Sequence, residues 1–130
     1  MRELKFRVWD KSIGMSESCS LVDIGIMAEE GLANLENIMQ FTGLHDKNGT
    51  EIYEGDILKY TFDNPDSIYA NENGLKVRIN KVFWQEWRSS FALGSKMANN
   101  DLFNYVRNGN RVEVIGNIHD NPELLNEVKS

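Results

Sequence analysis

The sequence predicts a mainly β domain: a small, strongly curved barrel with additional N-terminal strands and a short helix near Pro122 to Val128. Three observations predict it. Leu4, Phe6 and Val8 alternate with Lys5 and Arg7, the period of a half-buried strand. Asp46-Lys47-Asn48-Gly49 reads as a hairpin turn and leads into a strand interrupted by Gly55. Three more apolar runs, at Val77 to Trp84, Phe91 to Leu93 and Val112 to Ile118, are separated by polar, turn-forming segments.

Taken in order, the first strand ends at Asp10-Lys11, after Trp9 has broken its polar face. Leu21-Val22-Asp23-Ile24-Gly25-Ile26 is an apolar stretch that predicts a second strand or strand edge. Leu32, Leu35, Ile38 and Met39 fall at helical spacing and predict a helix, which Gly31 and Asn34 weaken. Asn48-Gly49 accepts the positive φ values of a type I′ turn. Gly55 suits a bulge or a close backbone approach where the Tyr53 to Tyr60 strand bends. Residues 61–74 are polar and turn-rich and read as a loop. Two strands then flank a turn near Glu86 to Ser90, and residues 94–110 form a polar connection with one helical turn at Asp101 to Val106. After the last strand, Asp120 or Asn121 caps a helix that has Pro122 at its first position and Glu123 in its first turn. The expected core contains Leu4, Phe6, Val8, Ile52, Ile57, Val77, Ile79, Val114, Ile115 and Leu124.

The 130 residues suit one domain spanning 1–130, with an N-terminal lobe of 1–40 packed on a barrel of 41–130 as the alternative division. A single cysteine, Cys19, excludes an internal disulfide and every multi-cysteine zinc pattern. Charges threaded through the N-terminus leave no signal-peptide core, and no apolar run approaches the roughly 20 residues that span a bilayer. A soluble cytoplasmic protein with no membrane partner is expected. The net charge of −6 excludes a globally basic nucleic-acid coat protein. That total conceals a dipolar chain: residues 1–75 carry −8, residues 76–111 carry +5 and residues 112–130 carry −3.

No residue pattern specifies catalysis. The two histidines stand in His45-Asp46 and His119-Asp120, both where turns are expected, and their spacing matches no metal signature. Cys19 lies between serines with no cation beside it, and no nucleophile elbow or phosphate-binding glycine loop occurs. Glu51, Glu54 and Asp56 offer carboxylates for acid–base or Mg²⁺ chemistry, against which stands the use of an Asp after Gly to fix a bend. The segment 76–88 mixes cations with rings: Lys76, Arg78, Lys81, Trp84, Trp87 and Arg88, with Phe83 among them. Cations for a backbone and rings for stacked bases make a single-stranded nucleic-acid surface, while core packing of the rings is the plainer expectation. Exposed Trp84 and Trp87 beside Lys76 and Arg78 would favour a nucleic-acid or partner surface, and buried ones an ordinary barrel strand.

Five blocks of this sequence together resemble the YopX family of phage and prophage proteins. They are Lys5 to Asp10, Met39 to Gly49, Glu51 to Ile57, Glu113 to Ile118 and Asn121 to Leu125. The resemblance implies a fold related to SH3-type barrels and a phage or prophage product in the bacterial cytoplasm. It implies no activity, cofactor or catalytic residue. The expectation is a non-enzymatic module without metal or cofactor that binds protein, either itself as a homo-oligomer or a host or phage partner. Nucleic-acid binding through 76–88 is the less favoured alternative, and a small metal-dependent enzyme using Glu54 and Asp56 is the least favoured.

Overall fold

The first strand, β1 (Phe6–Asp10), follows the alternation of its residues. Phe6 and Val8 turn inward against Ile24, Ala33 and Ile38, while Lys5, Arg7 and Trp9 share the other face. The computed structural model describes residues 3–95, 97–107 and 109–126. β1 pairs with β2 (Gly14–Met15) and with β3 (Ile38–His45), placing Phe6 opposite Gln40 and Val8 opposite Ile38. With β4 (Glu51–Tyr53) these strands form a four-stranded antiparallel sheet in the order β2-β1-β3-β4.

The segment expected to be a second strand is a helix, α1 (Leu21–Glu29). Its start is a capping box: the Ser20 hydroxyl accepts from the Asp23 N–H, and the Asp23 carboxylate accepts from the Ser20 N–H. Two donors left free by the first turn are thereby satisfied, which an apolar run alone does not foretell. Only Ile24 is buried, and Leu21, Val22 and Ile26 face outward. The expected helix over Leu32 to Met39 does not form. Residues 32–37 are turns, held by the Asn37 amide donating to the carbonyls of Leu32 and Trp9, and Ile38 already belongs to β3. That arrangement leaves Leu35 fully exposed.

The β3–β4 hairpin is present, but its turn differs from a type I′ turn. Of its residues only Gly49 has positive φ, and the connection runs over 46–50 with the Gly49 N–H donating to the Asp46 carbonyl. Asp46 is buried and organises it, accepting from the N–H groups of Asn48, Thr50 and Val114.

After Tyr53 the chain turns a corner at Glu54-Gly55 and continues as β5 (Asp56–Tyr60), a central strand of the second sheet. Gly55 has φ +88°, and its backbone pairs outward to both Val82 and Ile118. The second sheet also contains β6 (Arg78–Gln85), β7 (Ser90–Gly94), β8 (Asn99–Asp101) and β9 (Glu113–Asn117). Its order is β8-β7-β6-β5-β9, antiparallel throughout and curled into half a barrel. The expected mainly β fold is therefore present.

The concave face holds the main core: Leu58, Tyr60, Val82 and Leu93 meet Ile52 from β4, Leu102 and Tyr105 from α2 (Leu102–Arg107), and Val112. Ile57 points to the opposite face and is also fully buried, and α3 (Glu123–Asn126) packs against β6. The C-terminal helix expected over Pro122 to Val128 is thus present as α3; Glu127 and Val128 lie outside the described residues. Of the expected core, Leu4 and Val77 are exposed because each precedes its strand, and Phe6, Ile79, Val114, Ile115 and Leu124 are half-buried. The run expected from Val77 enters its strand at Arg78.

The corner gives a stability test. A Cβ on Gly55 would lie 3.2 Å from the Met39 sulfur in a backbone region that L residues avoid. Gly55→Ala is expected to lower unfolding free energy by about 1–3 kcal/mol. Gly25→Ala, in mid-helix with open space around it, is expected to raise it by roughly 0.5–1 kcal/mol. Chemical denaturation of both variants checks the pair, and equal effects would contradict the strained corner.

Candidate functional site

β6 decides where the expected cation and aromatic residues go. Alternation and the register Tyr60↔Arg78, Leu58↔Asn80 and Trp84↔Phe91 put Arg78, Asn80, Val82 and Trp84 on the concave face. Val82 is sealed in the core, so Arg78 emerges at one mouth of the half-barrel and Trp84 at the other. At about 3.3 Å per residue the two are about 20 Å apart. Lys76 belongs to the Arg78 end, Trp87 and Arg88 to the turn beyond Trp84, and Lys81 stands exposed on the convex face between them. The segment 76–88 therefore supplies two separate surfaces.

The Trp84 mouth is aromatic. Trp84 is 46% exposed and meets Phe91 edge to face at 5.2 Å between centroids. Phe103 on α2 is 52% exposed and Trp87 is 74% exposed. Trp84, Phe91 and Phe103 line an open groove of about 390 Å³ together with Phe41 and Leu44 of β3. Arg88 lies over the Trp87 ring at 4.6 Å and donates to the Asn99 carbonyl. Its Nη1 is buried without a hydrogen-bond partner among the described residues.

The Arg78 mouth was not visible as a unit in the sequence. Tyr60 and Tyr105 meet at 5.1 Å and Phe62 lies 6.4 Å from Tyr105. The Arg78 guanidinium lies over Phe62 at 3.7 Å, and that of Arg111 over Tyr105 at 5.3 Å. Asn80 Nδ2 donates to the Tyr60 hydroxyl at 2.9 Å. Arg111 donates to the carbonyls of Thr61 and Phe62, fixing the start of the 61–77 loop. Burial pushes the Tyr105 phenol up to about 12, with Tyr60 adding to the rise, while the charges of Arg111, Arg78 and Arg88 pull the other way. Burial also raises Tyr60 and lowers Arg111.

The remaining candidates act within the fold. Asp56, 1% exposed, pairs with Arg7 and accepts from the Tyr53 N–H. Burial, the largest influence, pushes its carboxyl up, opposed by Arg7 and that N–H. Glu51 pairs with Lys5, which holds its carboxyl low, and burial raises Glu54. His119 stacks on Trp9 at 4.9 Å, and Asp120 accepts from the Trp9 indole N–H. Burial lowers His119. His45 is exposed, edge-on to Phe41. Cys19 donates weakly to the Glu17 carbonyl. Among the described residues no three His, Cys, Asp or Glu side chains gather where they could hold a metal ion, and no helix is long and apolar enough to cross a membrane.

The YopX protein family matches residues 5–126. The chain belongs to the YopX family. Protein EF1440 from Enterococcus faecalis, seen in a crystal structure, is 23% identical to this YopX chain, with a TM-score of 0.52. The likeness covers 96% of this chain and 99% of EF1440, and at that identity it speaks for the fold alone. No curated protein matches.

Phe62, Tyr105 and Arg111 are the residues of this YopX chain that sequence reasoning missed. One signal was available: Leu58, Tyr60 and Phe62 continue the concave-face alternation of β5 into the loop. Nothing local announces that Arg111 and Tyr105 return to meet them.

Tyr105 sets a pH dependence. The folded chain keeps its proton to about 12, whereas an unfolded tyrosine loses it near 10. The native state then binds more protons across that window, so this contribution is complete below pH 10 and is lost as pH rises to about 12. Thermal melts should fall steeply over this range, and an absorbance titration should lose its highest phenol step in Tyr105→Phe. Tyrosines that all ionise near 10 would contradict the burial.

Proposed function

We propose that the chain is a non-enzymatic phage or prophage accessory protein of the bacterial cytoplasm that acts by binding protein. A second copy of itself is the first partner, and a host or phage protein is a further one. In this reading the half-barrel is an SH3-like scaffold that presents the Trp84 mouth. The observation that carries it is the exposure of Trp84 and Phe103 along one groove, with exposed Trp87 in the turn beyond it. Rings of this size left in water on a small domain are the usual anchors of protein interfaces.

Charge supports self-association. α1 and the turn after it carry Asp23, Glu29 and Glu30, whereas positive charge stands at Lys81 on the convex face, at Arg107 ending α2 and at Arg88 in the β6–β7 turn beside Glu86. Copies in which these surfaces meet gain attraction that salt screens.

Sedimentation velocity over a concentration series tests the reading. The expected result is a shift to larger species as concentration rises, reduced by added salt. Trp84→Ser combined with Phe103→Ser should abolish the shift, and Trp87→Ser, which removes an exposed ring whose described partner is Arg88, should weaken it. Circular dichroism confirms that each variant folds. A wild-type protein that stays monomeric at every concentration, with no partner retained from host or phage-infected extracts, would remove the proposal.

A further inference from the structure

Three open grooves of about 380, 360 and 320 Å³ share Arg111 as a lining residue; Arg78 lines none of them but lies over Phe62, which borders two. Phe62 separates two of these grooves and is 43% exposed. Across one of them stands Tyr69, 84% exposed. Amides border both: Asn64 on the Tyr69 side, and Asn99, Asn100 and Asn104 on the other. Volumes of this order fit a small ligand.

The electrostatics of the Arg78 mouth are specific. Arg78 Nη1 donates to the carbonyls of Asn73 and Lys76, at 3.1 and 3.0 Å, which holds the guanidinium over Phe62. Among the described residues Arg78 has no carboxylate partner, and its Nε and Nη2 make no hydrogen bond. A held guanidinium with donors to spare is suited to a phosphate, because its fork matches two phosphate oxygens. Exposed Lys76 adds a second cation next to it in the chain. The surroundings do not favour a long polyanion. Asp63 faces Arg111, and Glu113 lies 3.9 Å from Lys47 in the groove that also contains Asp66 and Lys59. Among the described residues Arg78 and Lys76 make no ion pair, and Asp63 lines the groove beside Phe62 and Tyr69. Beside Arg78 are exposed rings for a planar group and amides that both donate and accept.

We propose that this mouth binds one nucleotide, free or as a unit of a single strand, with Arg78 and Lys76 on the phosphate and Phe62 and Tyr69 against the base. It goes beyond the protein-binding role of the opposite mouth and does not depend on it.

Calorimetric titration of the full chain tests this with the four ribonucleoside monophosphates, their nucleosides, inorganic phosphate and a single-stranded decanucleotide. At least one monophosphate should bind about tenfold more tightly than inorganic phosphate and than its own nucleoside. Arg78→Gln and Phe62→Ala should each weaken it about tenfold with unchanged circular dichroism, and Trp84→Ser should leave it intact. A decanucleotide that binds more tightly than any monophosphate, with affinity falling as salt rises, assigns the site to a strand. Equal or weaker binding of the decanucleotide assigns it to the free nucleotide. No binding of any monophosphate or of the decanucleotide would overturn the proposal. So would inorganic phosphate binding as well as the monophosphates, or folded Arg78→Gln and Phe62→Ala proteins binding like the wild type.

Discussion

The ion pair between Arg7 and Asp56 sits where the two sheets become one molecule. β4 belongs to the first sheet and β5 to the second, and only Glu54-Gly55 lies between them. Asp56 grips that corner from inside by accepting from the Tyr53 N–H, and Arg7 crosses from β1 to meet the same carboxylate. The Arg7 guanidinium also lies over the Tyr53 ring at 4.1 Å. Its neighbours on that face of β1 repeat the pattern. Lys5 reaches Glu51 on β4, and Trp9 reaches His119 and Asp120 after β9. Arg7 and Trp9 thus stitch the N-terminal sheet to the half-barrel, while Lys5 braces β4 within the first sheet. The Arg7 stitch is the most consequential, because a buried charge left without its partner costs far more than an exposed one.

This corner determines what the half-barrel can present. With β5 anchored at Asp56, its concave face runs through Leu58 and Tyr60 toward Phe62, and β6 lies beside it in a single register. That register sends Arg78 to the Phe62 end and Trp84 to the far end, with Val82 sealed between them. Two mouths of different chemistry follow. One is ring-rich and open, suited to a protein surface. The other combines a held guanidinium, exposed rings and amides, suited to a small anion that carries a planar group.

The β architecture was legible where the local pattern had a single physical solution. The alternation around Phe6 and Val8, the corner at Gly55, the β6–β7 pair and the Pro122 helix start all fall in that class. Asp46 and Asp56 were readable as turn and bend residues because a short carboxylate in a glycine-containing turn has backbone donors within reach. The apolar run Leu21 to Ile26 was not, since period and composition allow a strand or a helix. The capping box at Ser20 and Asp23 decided it. Leu32 to Met39 misled because helical spacing says nothing about an asparagine side chain that occupies the carbonyls a helix would use. The site was harder still. Neighbouring cations and rings in 76–88 look like one patch in the chain, yet an extended strand carries them to opposite ends. The cluster at Arg78 draws on Tyr60, Tyr105 and Arg111, brought together only by the curled sheet.

A double-mutant cycle on Arg7 and Asp56 tests the corner most directly, with Arg7→Met, Asp56→Asn and the combined variant compared by chemical denaturation. An interlocked corner predicts that each single change removes about 3–5 kcal/mol and that the combined change removes far less than their sum. Small single effects that simply add would show that the sheets are joined without this pair.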